Sequence, residues 1–195
     1  MSEFRLYFDI GRDHILDYQL GYDHILFVVA LAALYTLRDW KQVLVLVTAF
    51  TIGHSITLAL ATLQVIRVNT AVVEFLVPVT IFITAVSNMF RKEEALSGRT
   101  VQINYLYALC FGLIHGVAFS TYLRSMLGKD RNIVSQLLAF NLGLEFGQII
   151  IVVLLLIYCF ILVDLFGVAR RDWRLVISSA VAILAMLLMR EKAFW

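Results

Sequence analysis

Charge, proline and cysteine are all scarce in this chain, and each shortage removes a class of protein. Charged residues make up 15% of the 195 residues, against about 25% in soluble domains. That excludes a molecule with water on every face. The net charge of +2 is too small to attract a nucleic acid. Pro78 is the single proline, and no Gly/Ser-rich linker or charge block interrupts the chain, so residues 1–195 read as one domain. Cys110 and Cys159 both lie in apolar runs, where they read as buried thiols rather than a disulfide. The first twenty residues contain Arg5, Asp9, Arg12, Asp13, His14 and Asp17 and lack a continuous apolar core, so they do not resemble a cleavable signal peptide. P-loop, nucleophile-elbow and dinucleotide fingerprints are missing as well.

What the chain has in abundance is apolar length. Hydrophobic residues make up 62% of it, and the mean hydropathy is +0.88. A helix needs about 20 mostly apolar residues to cross ~30 Å of hydrocarbon. Six stretches qualify, near 19–37, 41–65, 70–90, 103–125, 134–163 and 173–190. No stretch alternates with the period of a barrel strand, so the expected fold is all-α: a polytopic membrane bundle of about six transmembrane helices in a lipid bilayer. The fifth stretch is long enough to tilt. Orientation is not encoded in the loop charges. Eight Lys/Arg residues fall on the N-terminal side (5, 12, 67, 124, 129, 131, 190 and 192) and eight on the other.

An ionisable side chain costs on the order of 2.5–3.5 kcal/mol at mid-membrane on insertion scales, so one found there is a functional candidate. Asp23, His24, His54, Glu74, His115 and Glu145 fall inside the expected spans. Counting from the helix ends brings Asp23, His24, His54, His115 and Glu145, on four helices, within about 10 Å of one another in depth. Glu74 lies nearer the N-terminal surface. Asn141, Glu145 and Gln148 make one polar stripe on the fifth span, and Thr48, Thr51 and Ser55 a similar stripe on the second. His115 and Glu145 also sit within GxxxG segments, Gly112 to Gly116 and Gly143 to Gly147, which place them where the fourth and fifth spans pack most closely.

Three histidines with one or two carboxylates suit a borderline divalent transition metal, zinc or nickel above others. The expected ligands are Asp23, His24, His54, His115 and Glu145, with His24, His54 and His115 approaching within about 4 Å of each other. His14, Asp17, Glu74, Asn141, Gln148 and Ser55 are candidates for the entrance or for supporting contacts. The same residues also fit a proton relay or a metal-free structural network.

At these positions the sequence resembles the HupE/UreJ family of multi-pass membrane proteins. Asp13-His14-Ile-Leu followed by Gly21-Tyr-Asp23-His24-Ile-Leu-Phe looks like the family's opening G-x-D-H element. Ala49 to Thr57, around His54, resembles its second-helix histidine motif. Phe111 to Ser120, around His115-Gly116, resembles the H-G motif of the fourth helix. Phe140 to Gln148 resembles the Asn–Glu–Gln motif of the fifth. The nickel-permease branch carries His-Pro where this chain has Asp17-Tyr18, which points to the broader branch. The resemblance implies a link to nickel supply and a place in a bacterial inner membrane.

Three functions follow as expectations. The first is a metal-ion permease or metal-handling protein, with the ion entering from the N-terminal side. The second is an intramembrane metal-dependent hydrolase acting on a lipid or membrane peptide, with Glu145 or Asp23 as general base. The third is an accessory subunit with a buried polar network. The expected partners are the metal ion, the bilayer and, through the GxxxG faces, a second copy of the chain.

Overall fold

The computed structural model describes residues 2–17, 21–91, 98–127 and 133–195. Lys92, Lys129 and Arg131, and the side chains of Arg99 and Arg124, lie outside what is described. All regular structure among the described residues is helical. The α-helices are α1 (Glu3–Leu16), α2 (Tyr22–Ala32), α3 (Trp40–Thr62), α4 (Thr70–Phe90), α5 (Gly98–Leu127), α6 (Ile133–Cys159) and α7 (Arg170–Glu191). A 3-10 turn, Leu37–Asp39, leads into α3, and α6 widens into a π-helical end, Phe160–Leu165.

Five of these elements are long and apolar enough to cross a bilayer unaided, and they match the second to sixth expected spans. Their outward faces are apolar: in no span is more than 44% of the most apolar window buried inside the protein. Val45, Ile52, Ile83, Leu154, Val176 and Leu187 all point outward. In water such a surface would aggregate; against lipid tails it is the expected coat.

The first expected span, 19–37, differs. Its helical part, α2, has 11 residues, about 16 Å of rise, which is half a bilayer. The crossing is completed by α1. Glu3 hydrogen-bonds Gln136, Gly11 abuts Phe140 and Leu144, and Gly147 abuts Arg12 and Ile15, so α1 runs beside the first half of α6 in the same direction. Further along, Cys159 Sγ lies 3.9 Å from the Tyr35 carbonyl. The indole of Trp173 donates to the Ala33 carbonyl at 3.2 Å, and Asn88 Nδ2 donates to that of Ala30 at 2.7 Å. The first traverse is thus a helix in two pieces, α1 and α2, laid along α6. Averaging hydropathy over 19–37 hides the piece that carries charge. In α1, Arg12 lies 2.9 Å from Asp9 and 2.8 Å from Asp13, so those charges neutralise one another.

Glycines decide which helices touch. A methyl built on Gly53 would fall on the Leu109 carbonyl, and one on Gly112 on the Phe50 carbonyl. The backbones of α3 and α5 are therefore in direct contact and run parallel. Gly11 and Gly143 do the same for α1 and α6. The two GxxxG segments pack on α3 and α1 rather than against each other, since a small-residue face shows that a neighbour comes close and not which neighbour it is. α7 runs antiparallel to α4, with Ser179 near Met89 at one end and Lys192 3.6 Å from Glu74 at the other.

Candidate metal centre

All four histidines of the chain meet in one place, brought there by four helices. His24, in the first turn of α2, is the hub. Its ring centroid lies 4.7 Å from that of His14, 5.2 Å from His115 and 5.9 Å from His54. His14 comes from the last turn of α1, so the break between α1 and α2 is what doubles the first traverse's contribution to two histidines. His54 and His115 reach the cluster from α3 and α5, side by side through Gly112 and Gly116. His24, His54 and His115 are buried. Phe27, Phe50, Phe119 and Phe140 pack around the rings, with Phe119 only 3.8 Å from His14. The walls are apolar.

Two of the rings have a defined outer partner. Asp23 Oδ1 lies 2.8 Å from His24 Nδ1 and also accepts the His24 backbone N–H at 2.7 Å. A carboxylate only accepts, so the proton sits on Nδ1 and Nε2 carries a bare lone pair. Thr80, on α4, donates its hydroxyl proton to the Val77 carbonyl at 2.7 Å. Its oxygen, 3.2 Å from His115 Nε2, must then accept from that nitrogen. The lone pair of His115 is left on Nδ1. His24 Nε2 and His115 Nδ1 are both buried without a hydrogen-bond partner, as is His14 Nε2, while His54 is met by the side chain of Asn141. Such groups are few in native proteins, and each calls for a water, an ion or a catalytic role.

The remaining expected residues sort into three places. Asp23 is the outer partner of His24. Glu145, Asn141 and Ser55 lie along a groove between α3 and α6, and Gln148 is buried beside it. There Thr48 Oγ1 donates to Glu145 Oε1 at 2.6 Å, Thr51 Oγ1 to Gln148 Oε1 at 2.9 Å, and Ser55 Oγ to the Thr51 carbonyl at 2.6 Å. Asn141 Nδ2 donates to the Leu137 carbonyl at 2.8 Å, and its side chain also reaches His54 from α6. Glu74 pairs with Lys192 at 3.6 Å near the start of α4, and Asp17 caps α1 and accepts the Gly21 N–H at 2.7 Å. Thr80 was missed by sequence reasoning; a threonine two residues after Pro78 on an apolar helix carries no signal that it meets a histidine. Among the described residues, no three His, Cys, Asp or Glu side chains are arranged closely enough to hold an ion as they stand.

These features define a class: a multi-pass, all-α integral membrane protein with a buried cluster of histidines. The sequence comparison then gives the family. The model described as HupE / UreJ protein matches residues 1–192, and the chain belongs to that family. Neither a curated protein nor a solved structure matches it.

Proposed function

We propose that this HupE/UreJ protein handles a divalent transition metal as its cargo, held among His14, His24, His54 and His115. The observation that carries the reading is that His14 Nε2, His24 Nε2 and His115 Nδ1 are buried without partners, two of them bearing lone pairs by virtue of their outer hydrogen bonds. Spacing supports it too. With a metal–nitrogen bond of ~2.0–2.1 Å and ~1.2 Å from nitrogen to ring centre, two imidazoles on one tetrahedral ion have centroids about 5 Å apart. The three ring separations about His24, 4.7, 5.2 and 5.9 Å, bracket that value.

In this reading Asp23 is the carboxylate that orients His24 and offsets the ion's charge, in the manner of carboxylate–histidine–metal pairs. Thr80 does the same for His115 without the charge. Imidazoles favour zinc, nickel, copper or iron over magnesium or calcium. Family membership supports a role in metal supply, as carrier or accessory protein. The test is elemental analysis of protein purified in detergent without chelators, followed by titration with zinc and nickel. One ion per chain in the wild type, lost in His24→Asn, is the expected result. A wild type that neither retains nor takes up either metal overturns the reading.

A further inference from the structure

We propose that the cleft between α4 and α5, at the end of the bundle opposite the N-terminus, seats an anionic phospholipid, with an acyl chain in the cleft and the phosphate on Arg91. The cleft has a volume of about 130 Å³. Leu31 and Leu46, both buried, make its floor, and the exposed Ile83 and Tyr107 are its lips on α4 and α5. It therefore opens sideways, between two spans, onto the lipid. Three of its polar side chains are already engaged. Thr84 donates its hydroxyl to the Thr80 carbonyl at 2.8 Å, Asn88 Nδ2 donates to that of Ala30 at 2.7 Å, and Asn104 Nδ2 donates to the Tyr35 hydroxyl at 3.1 Å.

Arg91 is different. It directly follows the last residue of α4, where an arginine ordinarily snorkels its head to water. Here Nη1 is instead buried and without a hydrogen-bond partner, and the guanidinium lines the cleft. Among the described residues no carboxylate forms an ion pair with it, and the titratable groups that influence it are the phenols of Tyr35 and Tyr107. A guanidinium does not shed its proton, so the missing partner is an anion. The rest of the lining decides which kind. A free anion would sit against leucines and aromatic rings, whereas an anionic phospholipid matches both halves of the cleft. Arg91 stands at the end of a span, the level of the headgroups, and Ile83 lies eight residues deeper along α4, about 12 Å, among the acyl chains. Paired N–H donors suit phosphate oxygens, and basic pockets between membrane helices are places where anionic headgroups bind. The inference is independent of what the histidines hold.

Native mass spectrometry of the full chain, stripped of lipid in detergent and titrated with phosphatidylglycerol or with phosphatidylcholine of the same chains, tests it. The wild type should bind one phosphatidylglycerol in preference to phosphatidylcholine. Arg91→Gln should bind phosphatidylglycerol about tenfold more weakly, the loss of a charge-assisted hydrogen bond, and lose the preference, while Arg91→Lys should keep part of it. Ile83→Trp, which fills the cleft and leaves Arg91 in place, should weaken both lipids, and serves if Arg91→Gln does not fold. Arg171→Gln, an exposed arginine on the same side of the membrane, should behave as the wild type. The proposal is overturned if the wild type shows no preference, if Arg91→Gln keeps it, or if Ile83→Trp binds as the wild type does. It is overturned equally if Arg171→Gln loses the preference, because general surface charge would then explain it. Displacement of the lipid by inorganic phosphate would make a free anion the ligand, and a dimer in place of a lipid-bound monomer would make a second copy the occupant; either result refutes the lipid seat.

Discussion

The histidine cluster and the α3/α6 groove are both polar regions inside an apolar bundle, and they are built in opposite ways. In the groove the hydroxyls of Thr48, Thr51 and Ser55 all donate to oxygens nearby, so its walls keep their shape unaided. In the cluster each well-placed ring is satisfied on its outer nitrogen and bare on its inner one. A buried polar group without a partner costs about 1–3 kcal/mol. The cluster therefore carries buried nitrogens that are unsatisfied as they stand, while the groove's hydroxyls are already bonded. The two regions differ in which side of each polar group is left open.

The largest test of that comparison is His115→Leu. It should abolish zinc and nickel binding, yet the metal-free protein should unfold no earlier than metal-free wild type, since an orphaned nitrogen is replaced by apolar volume. Thermal unfolding with and without chelator reads both; an apo form melting far below wild type would show that His115 is a structural residue. Next comes Gly143→Val, whose side chain has only the Phe8 carbonyl to enter. Overpacking of this kind costs about 1–3 kcal/mol or more, and because α1 carries His14, nickel affinity should fall together with the melting temperature. A smaller effect is expected of Asp23→Asn, which keeps an acceptor for His24 Nδ1 but removes the charge. Metal affinity should drop about tenfold, within the range seen when outer partners of metal-bound histidines are changed. Unchanged affinity in a titration would remove Asp23 from the site. The smallest belongs to Glu74→Gln. It breaks a half-exposed pair with Lys192, should cost less than about 1 kcal/mol, and should leave metal binding alone.

Much of this was legible in the sequence because it follows from hydropathy and counting. The five long spans are runs of apolar residues, and the convergence of His24, His54 and His115 follows from residue counts along helices of fixed rise. Other features were not legible, for reasons that lie in tertiary structure. The two-piece first traverse was hidden because α1 owes its place to Gly11 and Gly143 meeting across the chain, while its own residues are no more apolar than those of a surface helix. His14 looked like a residue at the mouth for the same reason; once α1 folds back against α6, it stands against His24. Glu145 shares a stripe with Asn141 and Gln148, and periodicity shows that a stripe exists without showing which neighbour it faces. Here that neighbour is α3 across an open groove, and Thr48 takes the hydrogen bond that counting alone would assign to the cluster.

The division of the first traverse into α1 and α2 has a consequence for how the protein is made. The apolar part of that traverse is the 11-residue α2, too short to partition into a bilayer by itself as it leaves the ribosome. The surface that holds α1 in place belongs to α6, which is synthesised after α3, α4 and α5. The N-terminal segment must wait at the membrane interface while α3, the first self-sufficient span, fixes the topology. Two of the four histidines, His14 and His24, belong to the segment that packs on α6, so the cluster cannot be complete before α6 has been made.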